Sequence, residues 1–404
     1  MKRSFLASAL CLQVLVCGLA CDPPPAGNGN RTAAGPASGN TIDSADPSRL
    51  GGVPMPTVDP KEVPALIAEL SGGSVEARRR AAERLGLVYP PSSEAVGPLT
   101  AALRDPDADV RANAANGLAL IGPPASKAVP DLVVALEDPA ADVRFHAANA
   151  LGMLDAPSLA VINALVRLSG DPDPRLRRAG VTALGNLGAP ASAALQTLID
   201  RLTDGDVDVR VASASALGRM GDAASAASGA LVSALAEPDE RVRRSSAIAL
   251  GDIRPPQPAA VAALASATGD SSPAVRSSAL QALRSLGPTA VAAVPTLKSL
   301  AAHSEAGVRA TALQTLTAVD GKNRGTVDVL AAALRDSDPV VRGVAADALG
   351  TIGTGAASTV PELIKSLEDS SEEVRSRAAD ALYLVGTPEA KKAAEAYVKK
   401  SRKG

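Results

Sequence analysis

Large aromatic residues are nearly absent from this chain of 404 residues. It has no Trp, two Phe and three Tyr. A compact domain normally fills its core with large aromatic side chains. The composition therefore argues against the two or three globular domains that this length would ordinarily suggest. The Ala, Leu and Val that remain favour closely packed helices.

An excess of positive charge is also lacking, since 41 Lys and Arg stand against 43 Asp and Glu, a formal net charge of −2. The sequence therefore predicts no attraction to nucleic acid. A glycine-rich phosphate-binding loop is absent as well.

The cysteines lie only in the first 21 residues, behind a short apolar stretch. Lys2 and Arg3 precede the run from Phe5 to Ala20, which is shorter than the ~20 residues of a bilayer span and is typical of an export signal. The motif at 18–21, Gly-Leu-Ala-Cys, resembles a bacterial lipobox, although a glycine replaces the usual leucine. The resemblance implies cleavage before Cys21, lipidation of Cys21 and a membrane-anchored lipoprotein on the periplasmic side. The alternative is an ordinary cleaved signal and a soluble exported protein.

Four segments follow from composition and pattern. Residues 1–20 are the signal peptide, and residues 21–60 are the lipidated cysteine with a disordered linker rich in Pro and Gly. Residues 61–388 form the repeat region described next. Residues 389–404 form a basic C-terminal segment, expected to be a capping helix that completes the repeat array, or else a tail that contacts anionic lipid.

Arginine recurs in the repeat region at a fixed step of 33 residues, and leucine follows seven residues later every time. These ten arginines, called the ladder arginines below, are Arg78, Arg111, Arg144, Arg177, Arg210, Arg243, Arg276, Arg309, Arg342 and Arg375. A fixed period of this length indicates an array of stacked repeats.

The unit from Val129 to Leu154 shows the layout of one repeat. Apolar residues three and four apart predict a short helix from Val129, which the sequence Glu-Asp-Pro at 137–139 ends. A second helix from Val143 carries the ladder arginine. A column of Ser and Asp residues is predicted to cap the second helices, and glycines near 122, 188, 221, 287 and 353 close the units.

The segments Asp105 to Ala119 and Asp336 to Gly350 carry the pattern Asp-Pro-x-x-x-Val-Arg-x-x-Ala-Ala-x-Ala-Leu-Gly, wholly or in large part. This pattern resembles the HEAT repeat, in the short form found in phycobilisome lyase-like proteins. The resemblance implies an all-α fold, a right-handed α-solenoid of ten 33-residue helix pairs.

The resemblance also implies a structural ladder in which acids six residues before the ladder arginines pair with arginines of the neighbouring repeat. Gly72 and His303 replace the acid, so the first and eighth repeats are predicted to be weaker joints. The implied ladder comprises Asp105, Arg111, Asp138, Arg144, Asp171, Arg177, Asp204, Arg210, Glu237, Arg243, Asp270, Arg276, Asp336, Arg342, Asp369 and Arg375.

A partner-binding surface is expected where the repeats differ from one another. Positions one, two, five and nine after each ladder arginine share one face of the second helix, which in HEAT-like stacks lines the concave side. The residues predicted to bind a protein partner are Phe145, His146, Asn149, Arg178, Arg219 and Arg244. Two alternatives stay open: Phe145 packs against the adjacent helix, and the arginines form an ordinary solvated face.

Enzymatic roles lack the residues they need. HEAT-type hydroxylases bind iron through His-Glu pairs, whereas Ala147 follows His146 and Ser304 follows His303. These two histidines, almost five repeats apart, are expected to lie ~40 Å apart and cannot share a metal or triad. We therefore predict no cofactor, no metal and a non-catalytic protein-binding scaffold. A HEAT-repeat enzyme or enzyme subunit, lyase-like or hydroxylase-like, is the alternative.

Overall fold

The computed structural model describes residues 57–401, which are helical apart from connecting segments and one isolated bridge between Val58 and Val88. The predicted signal peptide, Cys21, the linker as far as residue 56 and the last three residues lie outside the described residues.

The described residues divide into two compact units at residue 128, and each is treated by itself. The first unit contains two helix pairs: α1 (Val63–Gly72) with α2 (Val75–Gly86), and α3 (Val96–Ala102) with α4 (Ala108–Ile121). The second unit contains eight further pairs and a final helix. Its first helices are α5 (Val129–Ala135), α7 (Leu159–Leu168), α9 (Leu195–Arg201), α11 (Ser228–Ala234), α13 (Pro258–Ala267), α15 (Val294–Leu300), α17 (Arg324–Ala333) and α19 (Val360–Ser366). Its second helices are α6 (Ala141–Met153), α8 (Pro174–Leu187), α10 (Val207–Met220), α12 (Glu240–Asp252), α14 (Pro273–Leu286), α16 (Ala306–Asp320), α18 (Pro339–Ile352) and α20 (Glu372–Val385), and α21 (Pro388–Ser401) ends the chain.

The predicted caps begin most of the second helices. The side chain of Asp206, for example, accepts the backbone N–H of Val209, as Ser74, Asp107, Asp173, Asp239 and Asp338 do for their own helices. Ser272 and Ser371 make no such bond; the carboxylates of Asp270 and Asp369 instead accept their backbone N–H groups.

Glycine ends many second helices with a positive φ, as at Gly122 and Gly188, which a residue with a side chain rarely adopts. Most of these glycines lead into 3-10 turns at 123–128, 189–194, 221–227, 287–293 and 353–359, each followed by a first helix of seven residues. The first helices α7, α13 and α17 have ten residues and no 3-10 turn before them.

Two leucine columns form the core. The leucines seven residues after the ladder arginines, such as Leu184 and Leu217, are fully buried. The leucines of the first helices, such as Leu198 and Leu231, are equally buried. The periodic leucines therefore join the first and second helix of each repeat, as the sequence predicts.

A column of glycines lets successive second helices approach closely. A Cβ added to Gly185 would lie 2.7 Å from the Cα of Ala216, and one added to Gly251 would lie 2.8 Å from the Cα of Ala282. Separations this short leave room only for hydrogen on the glycine side, so the residue eight positions after these ladder arginines sets the helix spacing.

These features make the described chain an all-α solenoid, which confirms the predicted fold class. Two observations concern the residues at the predicted segment boundaries. Val58 is already buried and donates its backbone N–H to Leu87, so the folded part begins before the predicted residue 61. The final helix begins at Pro388, and its buried Ala390 and Ala394 join the core of the last repeats.

Candidate partner-binding face

The ladder arginines bind in two directions at once. In Arg177, Nε and Nη2 donate to the two carboxylate oxygens of Asp204 in the next repeat, at 2.9 and 2.7 Å. Its Nη1 donates to the backbone oxygen of Asp171 in its own repeat, at 3.1 Å. One guanidinium thus connects two repeats by charge and fixes the loop that begins its own helix.

The same contact recurs along both units. Ion pairs join Arg78 to Asp105 (2.8 Å), Arg144 to Asp171 (3.3 Å), Arg210 to Glu237 (3.7 Å), Arg243 to Asp270 (2.8 Å), Arg309 to Asp336 (2.6 Å) and Arg342 to Asp369 (2.7 Å). At the position of His303, Arg276 instead reaches Glu305 at 3.8 Å, from Nη2 alone. The joint at His303 therefore lacks the two-pronged bond that most other joints have.

Burial and pairing act oppositely on the ladder acids. Burial of Asp204 opposes ionisation, but hydrogen bonds from Arg177 and the Asp206 amide outweigh it and lower the pKa of Asp204. In Asp336 and Asp369 the arginine hydrogen bond is the largest influence, and their pKa values are also lowered. Pairing therefore favours the ionised form of Asp204, Asp336 and Asp369, which act as structural members of the ladder.

The residues that vary between repeats lie on what we call the second-helix face. In the centre of the second unit this face consists of positions one, five and nine after the ladder arginine in α6, α8, α10 and α12. They are Phe145, Asn149, Met153, Arg178, Thr182, Asn186, Val211, Ser215, Arg219, Arg244, Ile248 and Asp252, all exposed or half-buried.

Phe145 is covered by a neighbouring side chain. The guanidinium of Arg175 lies over its ring, 4.3 Å from the centroid, and the ring of His146 meets it edge-on at 5.3 Å. Arg175 is held there by Asp142 at 2.8 Å. Phe145 is thus half-buried under a cation, which is a packing arrangement rather than an open aromatic surface.

His146 and Asn149 are both half-buried on the same helix. Burial lowers the pKa of His146, with Asp142 opposing the shift and Arg175 adding to it. Its Nδ1 atom is buried without a hydrogen-bond partner among residues 57–401. His146 is therefore a largely neutral ring beside the Phe145 cluster.

The three predicted arginines have different surroundings. Arg178 contacts the carboxylate of Asp208 at 3.5 Å, and Arg241 binds that same carboxylate at 2.8 Å. Arg219 and Arg244 make no ion pair within the described residues. The three arginines thus do not form a uniform basic strip, because one of them is paired with a carboxylate and the other two are not.

Arg219 is placed by the glycine column. Its Nη2 lies 2.8 Å from the position that a Cβ on Gly185 would occupy, so the guanidinium rests against the end of α8. Burial on that side lowers the pKa of Arg219. In the next repeat Asp252 takes the corresponding place over Gly218, and burial raises its pKa while Arg254 opposes the shift.

The contacts of Arg175 and Arg241 were not predicted from the sequence. The sequence nevertheless contains a pattern that indicates them. Two residues before the ladder arginines, the charge alternates from repeat to repeat through Asp142, Arg175, Asp208 and Arg241. Opposite charges one repeat apart can pair across the stack, and Asp142 with Arg175 and Asp208 with Arg241 do so.

Two kinds of feature are absent from the described part of the chain. Residues 57–401 contain no group of three His, Cys, Asp or Glu side chains placed to hold a metal ion. They also contain no helix that is both long and apolar enough to cross a bilayer. An open cleft of about 530 Å³ between α20 and α21 is lined by Tyr383, Ala394 and Val398, among others.

Repeats of this kind define the class of α-solenoid scaffolds. The HEAT-repeat model matches this chain in overlapping segments that cover residues 63–317 and 327–403. The chain therefore belongs to the HEAT-repeat family.

Two solved structures show the same fold at low identity. The crystal structure of an engineered protein is 24% identical, with a TM-score of 0.51, and the match covers 81% of this chain and 99% of that one. A structure of Kap95p bound to RanGDP is 13% identical, with a TM-score of 0.56; it matches 81% of this chain, which spans 52% of that protein's length. No curated protein matches the chain.

Proposed function

We propose that this chain is a non-catalytic scaffold that binds a protein partner through its second-helix face and is tethered to a bacterial membrane through Cys21. One observation carries the proposal. The charged residues that recur from repeat to repeat form ion pairs in the ladder. The residues that differ between repeats lie exposed or half-buried on one face. A surface that varies along a regular frame suits recognition of one extended partner.

The arrangement of polar groups favours binding over catalysis. Catalysis by a nucleophile or general base needs complementary groups within hydrogen-bond reach of each other. On the second-helix face, the polar residues of each helix stand one turn apart, as Arg178, Thr182 and Asn186 do in α8. Beside this face, Nδ1 of His146 has no hydrogen-bond partner among the described residues. The Kap95p solenoid, bound to RanGDP in its structure, is an analogy of fold only.

The partner is sought by crosslinking on native membranes, with the full chain as bait. A face variant carries Thr182→Glu, Ile248→Glu and Gln281→Glu, three positions that bear no ladder contact. A matched control carries Val134→Glu and Val291→Glu, which lie 69% and 56% exposed outside the second helices. We expect the wild type and the control to capture the same protein and the face variant to lose it. Loss with the control instead of the face variant would contradict the proposal.

The membrane tether rests on Lys2, Arg3, the apolar run at 5–20 and Cys21. In bacterial cells fed a labelled fatty acid, we expect label on the wild type and none on Cys21→Ser. The wild type should fractionate with membranes. If the wild type is unlabelled and lies in the soluble fraction, the proposed lipid anchor is wrong and the chain is an ordinary exported protein.

A further inference from the structure

Two arginines at the centre of the second-helix face differ from all the others around them. The helices α8, α10 and α12 carry eight arginines. Six of these bind a carboxylate: Arg175, Arg177, Arg178, Arg210, Arg241 and Arg243. Arg219 and Arg244 bind none within residues 57–401. In a chain where arginines are so regularly paired, these two are available to an anion from outside.

Arg219 also rests against the glycine column without being neutralised. Its guanidinium lies against Gly185, where a side chain would collide with it. A partly desolvated cation without a counter-ion is unfavourable, and a carboxylate placed on its open side would offset that cost. Arg219 therefore has the surroundings of one half of an ion pair.

An apolar side chain shares the second-helix face with the two arginines. Ile248 follows Arg244 by one helical turn, and 45% of its surface is exposed. The corresponding positions of α6, α8, α10 and α14 carry Asn149, Thr182, Ser215 and Gln281. Ile248 thus interrupts a polar column on the face that carries two unpaired arginines, and arginine is one of the residues enriched where protein interfaces bind most strongly.

The helix positions of Arg219 and Arg244 indicate the length of ligand that can contact both of them. Arg219 lies eight positions later on its helix than Arg244 does on its own, about 12 Å along the axis. Neighbouring helices add roughly 9 Å sideways, so the Cα atoms of the two arginines lie about 15 Å apart. In an extended peptide, residues four apart lie on one side and about 13 Å apart, with a third side chain midway on the same side.

We propose that the partner presents an extended acidic segment, acid-x-apolar-x-acid, whose carboxylates bind Arg219 and Arg244 and whose apolar side chain packs on Ile248. This inference rests on the protein-binding function proposed above. Asp252 lies in the same row as Arg219, and its carboxylate can accept hydrogen bonds from the N–H groups of a peptide. A phosphate backbone offers no such donors.

The test uses the full chain and a fluorescein-labelled peptide Gly-Ser-Glu-Ser-Leu-Ser-Glu-Ser-Gly, with binding followed by fluorescence anisotropy. Control peptides replace both glutamates by lysine, or place them side by side. We expect Arg219→Met and Arg244→Met each to weaken binding about tenfold, and Ile248→Gln about threefold, with unchanged circular dichroism. Arg219→Lys should recover part of the loss, because charge without the guanidinium fork remains.

Arg324→Met is the matched control, since Arg324 is an exposed arginine at the start of α17 that also makes no ion pair in the described residues. It should bind the peptide as the wild type does. Equal binding by the folded double variant Arg219→Met/Arg244→Met would overturn the inference. So would equal binding of the adjacent-glutamate peptide, or tighter binding of a single-stranded oligonucleotide.

The two proposals fail differently. If the crosslinked partner is lost by the Thr182, Ile248 and Gln281 face variant but kept by the Arg219 and Arg244 double variant, the scaffold function stands and the acidic-segment inference is wrong. If no partner depends on the second-helix face, the function itself is wrong, whatever the peptide does.

Discussion

Arg177 and Asp204 form a two-pronged ion pair between consecutive repeats, with 3% of the Asp204 side chain and 17% of the Arg177 side chain exposed. By contrast, Arg167 and Glu137 also pair across repeats, at 3.0 Å, but each is 60% or more exposed. The two pairs have the same chemistry but very different exposure to water. We therefore expect the buried pair to stabilise the fold and the exposed pair to contribute little.

Asp204→Asn should cost about 2–3 kcal/mol of stability, because it leaves the Arg177 charge partly buried and unpaired. Glu137→Gln should cost less than about 1 kcal/mol, because water screens that pair. Hydrogen exchange of α8 and α10 measures the effect locally, which suits a repeat array that need not unfold in one step. Equal protection in both variants would contradict the structural role of the ladder.

Acid should loosen the ladder. The pKa values of Asp105, Asp204, Asp270, Asp336 and Asp369 are lowered in the folded chain. A lowered pKa contributes stability above the unfolded value of about 3.9 and loses it as the pH falls through the folded value. Thermal unfolding should therefore change little from pH 7 to 5 and shift to lower temperature below about pH 4. The acid shift should be smaller in Asp204→Asn, and an identical shift would argue against this origin.

The glycine column should tolerate no methyl group. In Gly251→Ala the new Cβ would lie 2.7 Å from the Cβ of Ala282, so α12 and α14 must separate. We expect a net loss of about 1–3 kcal/mol from overpacking. Gly229→Ala is the control, since nothing lies within 4 Å of its Cβ and α11 should gain up to about 1 kcal/mol in helix propensity. Denaturant unfolding measures the free energy of unfolding of both variants. If Gly229→Ala is destabilised as well, the loss in Gly251→Ala cannot be assigned to the close helix contact.

His303→Asp should strengthen the joint at the eighth repeat. Nδ1 of His303 accepts the Glu305 N–H at 3.1 Å, the bond that Asp336 makes to Asp338 at 2.9 Å, but it offers Arg276 no carboxylate. An aspartate would keep the bond and add the missing ion pair, with an expected gain of about 1 kcal/mol. His303→Asn keeps the acceptor without the charge and should gain little. If the asparagine variant gains as much as the aspartate variant, the ion pair is not the cause.

The sequence by itself determined the repeat, its helices, its leucine core and the residues of the ladder. Period 33, the capping residues and the positive-φ glycines are local signals, and each of them recurs often enough to be read without coordinates. Where a repeat departs from the pattern, as at His303, the sequence shows the departure as well.

Only the tertiary structure decided which side chains of the second-helix face are already in contact with other side chains of the protein. Whether Arg175 covers Phe145, whether Arg178 shares Asp208 with Arg241, and whether Arg219 rests on Gly185 depend on the distance and offset between neighbouring helices. Periodicity places these side chains on one face but does not specify how far each reaches towards the next repeat. The spacing of the helices, which the contacts of glycine with alanine set, therefore determines which arginines reach a carboxylate and which, like Arg219 and Arg244, do not.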